Sequence, residues 1–152
     1  MVDVVDPATR SRMMAAIRGS DTKPELLIRR GLHAEGFRFR LHGRKLPGKP
    51  DLILPRYRAV IFVHGCFWHR HNCQLFKWPK TRQEFWREKI EGNAERDRRA
   101  EAELKATGWR VLTVWECALK GPSRPDMRGV IERIAKWLRS SDMVGEVRGG
   151  ER

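Results

Sequence analysis

One short segment, Val63 to Cys73, constrains this chain more than any other part of its sequence. Its eleven residues include three histidines, two cysteines and two large aromatic side chains. These residue types supply metal ligands, proton carriers and flat stacking surfaces. We therefore expect the chemistry of this protein to occur at this segment, and the rest of the fold to hold the segment in place and bring a substrate to it.

The size and charge of the chain narrow the classes of partner. Its 152 residues fit one domain with a single core, and its formal net charge is +13. A strongly basic surface favours a polyanion, most often a nucleic-acid backbone. No apolar run reaches the roughly 18 residues of a membrane span, and the N-terminus lacks the pattern of a secretory signal. We expect a cytoplasmic monomer with reduced cysteines.

The periodicity of apolar residues predicts a single-domain α/β fold. Two capping boxes, at residues 22–25 and 81–84, open helices, and the second helix is expected to turn Phe85, Ile90, Ala94 and Leu104 toward the core. The order of elements predicts a mixed central sheet flanked by helices. Helices are predicted at about 8–18, 22–35, 81–107 and 126–138, and strands at 37–41, 51–54, 59–63 and 109–115.

Four residues have the composition of a structural zinc site. Cys66, His71 and Cys73 share one loop, and Cys117 directly follows a predicted strand, so one metal ion would tie the loop to the core. Four good ligands leave no open coordination position, which favours a structural rather than a catalytic zinc. The alternative is that the cysteines are buried thiols that act as small apolar side chains.

A second group of residues has the composition of a hydrolytic site. In a tight hairpin the start of the first strand lies beside the end of the second, so Asp51 is expected near Val63 and His64. A carboxylate beside the main-chain carbonyl of Val63 can hold Mg²⁺, which polarises a phosphodiester, and His64 or His69 can then move protons. Glu25 either completes a capping box or reaches the waters around the metal.

Several further side chains are candidates for contact with DNA. Phe67 and Trp68 are adjacent in a polar loop where both cannot easily be buried, and Trp86 lies just inside the long helix. Aromatic wedges of this kind unstack a weak base step at a cost of a few kcal/mol. Asn93 shares a helical face with Trp86. Met14 lies on a basic N-terminal helix; either this helix grips a groove and Met14 wedges from the opposite side, or it is an ordinary surface helix.

These motifs resemble those of the very short patch repair (Vsr) mismatch endonucleases. Pro50-Asp51 before a strand is similar to the PD-(D/E)xK restriction-endonuclease pattern, and the string from Val60 to Cys73 is similar to the Vsr enzymes in particular. The resemblance covers about residues 3 to 138. Further matching segments are Ala8 to Ser11, Thr81 to Trp86, Asn93 to Asp97 and Trp109 to Cys117.

The resemblance implies a restriction-endonuclease-like fold and a specific reaction. The reaction would be a Mg²⁺-dependent nick 5′ to the thymine of a T:G mismatch, the product of 5-methylcytosine deamination. Asp51 would hold Mg²⁺, His69 would be the general base or leaving-group assistant, and His64 a further catalytic contact. Zinc would be held by Cys66, His71, Cys73 and Cys117. Residues 21–139 would then be the endonuclease domain, between a DNA-gripping arm at 1–20 and a flexible tail at 140–152.

One departure from the wider restriction-endonuclease pattern affects the mechanism. The second acid and the lysine of that pattern are replaced by Val63, His64 and Gly65, so histidines must do the work of the lysine. The Vsr group shares this departure. The expected partner is therefore double-stranded DNA with a T:G mismatch, and other repair proteins are further candidate partners. Two hypotheses compete with it: a zinc-stabilised DNA-binding module without catalysis, and a zinc hydrolase that acts on a substrate other than DNA.

Overall fold

A computed structural model of the chain describes residues 23–73, 76–119 and 124–149. The arm at 1–20, with its helix and Met14, lies outside these residues. In chain order the elements are α1 (Lys23–Ala34), β1 (Arg40–Leu41), β2 (Leu52–Leu54), β3 (Ala59–His64), α2 (Gln83–Ala106), β4 (Arg110–Trp115), α3 (Met127–Arg139) and β5 (Val144–Val147), with short 3₁₀ turns at Pro55–Tyr57 and Glu116–Ala118.

The five strands form one mixed sheet in the order β1-β2-β3-β4-β5. Strand β2 is antiparallel to both of its neighbours, β1 and β3, whereas β3, β4 and β5 run parallel. The predicted hairpin of β2 and β3 is confirmed, with Leu52 opposite Ile61. In the parallel pair His64 lies opposite Trp115, so the two strands that lead into the Cys/His segment and Cys117 end side by side.

Helices cover both faces of the sheet. Helices α1 and α3 pack on one face with Ile61, Leu112 and Val114, because apolar residues recur along one side of each helix. Helix α2 covers the other face, where Leu104 packs against Val60 and Phe62. Side chains alternate along a strand, so His64 lies on the α2 face. The single-domain α/β fold with a mixed sheet is as predicted.

Helix α2 begins differently from its prediction. The N-cap is Arg82, in the left-handed backbone region with φ 52°, and no side chain caps the helix end. The capping box predicted at residues 81–84 is therefore wrong. Phe85 is 45 % exposed rather than in the core, because it lies in the first turn, beyond the edge of the sheet. Ile90 and Leu104 are buried as predicted, and Ala94 is only partly buried.

Two further predictions, one of a strand and one of a mobile tail, need correction. The strand predicted at 37–41 is reduced to Arg40–Leu41, while Phe37 is buried against the core ahead of it. The mobile tail predicted from residue 140 is wrong for residues 144–147, which form the edge strand β5 beside β4. Gly145 allows this placement, because a Cβ atom there would lie 2.5 Å from the ring of Trp137.

Helix α3 begins where the sequence predicted. Asp126 is its N-cap, and its side chain accepts a hydrogen bond from the Gly129 amide at 2.7 Å. Among the described residues, no helix is both long enough and apolar enough to cross a membrane.

Candidate active site and metal centre

Asp51 and Val63 meet at the open end of the β2–β3 hairpin. The Val63 amide donates to Oδ2 of Asp51 at 2.7 Å, and the Asp51 amide donates to the Ile61 carbonyl at 3.0 Å. The N–H and C=O groups of one strand residue point to the same side, so the Val63 carbonyl also faces the Asp51 edge. The structure thus brings together the carboxylate and the carbonyl that the sequence paired.

Glu25 adds a second carboxylate to this site from helix α1. It is only 4 % exposed and pairs with Arg29 at 3.0 Å, one helical turn later. Burial raises the pKa of Asp51 to about 7, the Val63 amide lowers it, Glu25 raises it, and Arg29 and His69 lower it. Two acids and a carbonyl that share a largely buried site are the hard oxygen donors that Mg²⁺ prefers, so the residues present fit the ion.

His64 and His69 stack directly on one another. Their ring centroids are 3.8 Å apart and their planes differ by 2°. Burial lowers the pKa of His64 well below its usual value, and the neighbouring His69 lowers it further while Asp97 raises it. His64 is therefore a neutral imidazole, which can donate or accept a hydrogen bond without carrying charge.

Asp97, on helix α2, completes the histidine pair. Its Oδ2 lies 2.5 Å from Nδ1 of His69. Ligand atoms of His64, His69 and Asp97 all lie within 4.8 Å of one another, close enough to suggest a metal site. The lone pairs of two parallel rings, however, run side by side in the ring planes and do not converge on one ion. The Asp97 carboxylate instead fixes the orientation of the His69 ring, as a carboxylate does for the histidine of a catalytic triad.

The four predicted zinc ligands converge on one point. One ligand atom from each of Cys66, His71, Cys73 and Cys117 lies within 4.8 Å of the others. Nδ1 of His71 is 3.5 Å from the Cys66 sulfur and 3.6 Å from the Cys117 sulfur. In a tetrahedral site with Zn–S about 2.3 Å and Zn–N about 2.0 Å, sulfur and nitrogen are about 3.5 Å apart. The geometry therefore fits zinc.

Backbone amides and an indole ring surround this metal centre. The Cys117 amide donates to the Cys66 sulfur and the Gly149 amide to the Cys117 sulfur, each at 3.3 Å. The Trp115 ring stacks on His71 at 4.0 Å. Burial raises the pKa of the Cys66 and Cys117 thiols, while these amide contacts lower it. A bound cation would reverse the effect of burial, because it stabilises the thiolates.

The candidate wedge residues form one aromatic cluster beside the histidines. The ring of Phe67 lies 5.2 Å from that of Trp68 and 5.6 Å from that of Trp86, and Trp68 is 38 % exposed. The side-chain amide of Asn93 donates to the Trp68 carbonyl at 3.0 Å. Asn93 thus attaches the aromatic loop to helix α2. Met14, expected to wedge from the opposite side, lies outside the described residues.

The sequence of this chain is similar to the sequences of known proteins. The family profile described as "DNA mismatch endonuclease Vsr" matches residues 2–75. The chain is 51 % identical over 138 residues to "DNA mismatch endonuclease Vsr" of Escherichia coli (strain K12), covering 91 % of this chain and 88 % of that protein. This chain belongs to the Vsr family. The resemblance of the motifs to that family is confirmed.

Two further relatives are similar along most of the chain. "Type II nicking enzyme V.XorIIP" of Xanthomonas oryzae pv. oryzae is 46 % identical, covering 87 % of this chain and 98 % of that protein. "Type II nicking enzyme V.NmeAIP" of Neisseria meningitidis serogroup A is 45 % identical, covering 79 % and 86 %. Both relatives are named as nicking enzymes. Membership of the Vsr family also implies the restriction-endonuclease-like fold that the sequence predicted.

Asp97 is the residue of the site to which the sequence assigned no role. It lies 28 positions after His69 in the chain, and only the packing of helix α2 on the sheet brings the two together. One signal was available, because Asp97 shares a helical face with Trp86 and Asn93, both candidate site residues. An acid on that face is a candidate partner for the histidines of a Vsr-family protein.

Proposed function

We propose that this chain is a DNA mismatch endonuclease that nicks one strand 5′ to the thymine of a T:G mismatch, using Mg²⁺-assisted hydrolysis. The general activity, nicking of DNA at mismatches, follows from membership of the family and from the names of the relatives. The main observation in support of the hydrolytic mechanism is the hydrogen bond from the Val63 amide to the Asp51 carboxylate. It lies at the end of the strand that leads into the stacked pair of His64 and His69.

The acidic side of the site is the proposed magnesium site. The Asp51 carboxylate and the Val63 carbonyl would hold the ion, and Glu25 would contact its waters from helix α1. When bound, magnesium supplies positive charge that polarises the phosphodiester and stabilises the leaving oxygen. The raised pKa of Asp51 supports this role, because burial disfavours the charge of its carboxylate and a bound cation would stabilise that charge.

The histidines are proposed to move the proton. Since Nδ1 of His69 lies against the Asp97 carboxylate, a proton resides on that side and Nε2 is left to exchange a proton with water or the leaving oxygen. The neutral ring of His64 holds His69 in place by stacking and offers a further hydrogen bond to the phosphate. This pair replaces the lysine of other restriction-endonuclease-like enzymes.

Recognition of the mismatch is assigned to the aromatic cluster. Phe67, Trp68 and Trp86 would enter the duplex beside the mispaired step, which is easier to unstack than a matched one. Met14 would enter from the other side. The proposed zinc at Cys66, His71, Cys73 and Cys117 has a structural role, because it fixes both ends of the loop that carries the wedge and His69.

End-labelled duplexes test the proposal directly. One duplex contains a T:G mismatch, and matched T:A and C:G duplexes of the same sequence are the controls, each with and without Mg²⁺. We expect a cut immediately 5′ of the mispaired thymine, only in the T:G duplex and only with Mg²⁺. Binding of the T:G duplex without any cut, in every flanking sequence tried, would instead support the non-catalytic zinc-stabilised module.

A further inference from the structure

Two arginines pack against one tryptophan next to the aromatic cluster. The guanidinium carbon of Arg70 lies 5.6 Å from the ring centroid of Trp78, and that of Arg87 lies 5.1 Å from the same centroid. Arg70 comes from the loop after β3 and Arg87 from the first part of helix α2. The indole ring therefore holds together two positive charges that are distant in the sequence.

Neither charge is neutralised by a carboxylate of the residues that the structure describes. Both arginines are exposed, and in the part of the chain that the structure describes neither forms an ion pair with a carboxylate, whereas Arg98 on the same helix pairs with Glu95 at 2.8 Å. A guanidinium that packs on an aromatic face keeps its N–H donors at its rim. Those donors match the oxygens of a phosphate, which they can bind in pairs.

The position of this pair relates it to the proposed wedge. The Trp78 ring contacts Phe76 at 5.0 Å, and Phe76 in turn contacts Phe67 at 6.0 Å. The arginines thus lie two ring contacts from an aromatic residue that is proposed to enter the duplex. The grooves of DNA are about 6 Å and 12 Å wide, so a phosphate on the rim of a groove is about as far from an inserted ring as Trp78 is from Phe67.

We propose that Arg70, Trp78 and Arg87 form a clamp for one DNA backbone phosphate beside the inserted aromatic residues. The inference rests on the proposed entry of the aromatic cluster into DNA and adds a contact that fixes the protein's register on the strand. A backbone phosphate carries no base identity, so the clamp contributes affinity without discrimination between T:G and T:A. Because Arg70 directly follows His69, the clamp also aligns the gripped strand with the hydrolytic site.

The salt dependence of DNA binding reports how many phosphates the protein neutralises. The slope of log Kobs against log salt concentration changes by about 0.9 for each phosphate that is no longer neutralised. We would measure binding to T:G and T:A duplexes, without Mg²⁺, for wild type, Arg87→Ala, Arg70→Gln/Arg87→Ala and Trp78→Leu. Arg139→Ala is the matched control, because its exposed guanidinium also packs on an aromatic ring, Phe37, but lies on the opposite face of the sheet.

We expect the double variant to lose about one unit of slope, so that its loss of affinity between about 50 and 200 mM salt is roughly threefold smaller than in wild type. Arg87→Lys should keep the wild-type slope, because it keeps the charge. The ratio of T:G to T:A affinity should stay constant in all variants. A double variant with the slope of wild type and of Arg139→Ala would overturn the clamp. If wild type itself failed to bind the T:G duplex, the proposed function would fail instead.

Discussion

Oδ2 of Asp97 lies 2.5 Å from Nδ1 of His69, the ring that stacks on His64. This contact selects the tautomer of His69 and leaves Nε2 for proton exchange. In the proposed mechanism Asp97 acts through His69 and is therefore a positioning residue.

Replacing Asp97 with asparagine should impair the nicking step without impairing binding. The side-chain amide of the Asp97→Asn variant would no longer stabilise a charged His69 and favours the other tautomer, so we expect the single-turnover rate on a T:G duplex to fall by about 100-fold or more. Affinity for that duplex should change little. Glu95→Gln, on the same helix but exposed and paired with Arg98, is the matched control. Equal rates for Asp97→Asn and Glu95→Gln would show that the contact has no role in the reaction.

Asp51→Asn should stabilise the protein in the absence of magnesium. The pKa of Asp51 rises from 3.8 to about 7 on folding, so the unfolded state releases this proton earlier and the penalty of burying the charge grows between about pH 4 and 7. Above pH 7 the penalty is complete, and the variant should be more stable by about 1 to 3 kcal/mol. Urea denaturation at pH 5 and pH 8 measures the difference. If the gain in stability of Asp51→Asn over wild type were no larger at pH 8 than at pH 5, the result would contradict a buried charge on Asp51.

Removal of zinc should unfold the protein. The Cys3His cluster joins the loop after β3 to the end of β4, and without a cation it leaves buried thiols whose pKa is raised. We expect one zinc per chain by elemental analysis, and a strong chelator or Cys117→Ser should abolish cooperative thermal unfolding. If chelation instead abolished nicking and left the melting curve intact, zinc would be catalytic.

Much of this site was readable from local sequence patterns. The hairpin places Asp51 against Val63 because its turn leaves little choice of register. The number and spacing of the cysteines and one histidine predicted the four candidate zinc ligands, which the structure brings together. Asp97 was not assigned, because its partner is 28 residues away and its proximity depends on how α2 packs. Strand β5 was missed because an edge strand with glycine and glutamate has weak strand propensity, and pairing with β4 determines it.

Arg110, on strand β4, makes further long-range contacts, which hold the C-terminal end of helix α3 and the segment after it. Its guanidinium packs over Trp137 at 4.3 Å and donates at 2.7 to 3.1 Å to the carbonyls of four residues, two in the last turn of helix α3 and two in the segment before strand β5. It thereby supplies further donors to carbonyls at the C-terminal end of α3, where no following turn of helix provides N–H groups. These four residues are Trp137, Leu138, Ser140 and Asp142.

Replacing Arg110 with methionine should therefore lower the free energy of unfolding by about 2 to 4 kcal/mol. Arg128→Met is the control, because the Arg128 side chain is 89 % exposed and its ion pair with Glu132 lies on the surface. We expect that control to stay within about 0.5 kcal/mol of wild type in urea denaturation. Similar decreases in the two variants would mean that the carbonyl contacts of Arg110 contribute little.

The most direct measurement compares wild type with Asp51→Asn on a single T:G duplex, with binding and nicking recorded in parallel. The account predicts that wild type cuts 5′ of the mispaired thymine only when Mg²⁺ is present. Asp51→Asn should bind the duplex with wild-type affinity and nick it at least about 1,000-fold more slowly. Nicking by Asp51→Asn at the wild-type rate, or by wild type without a divalent cation, would contradict the assignment of this site as the hydrolytic centre.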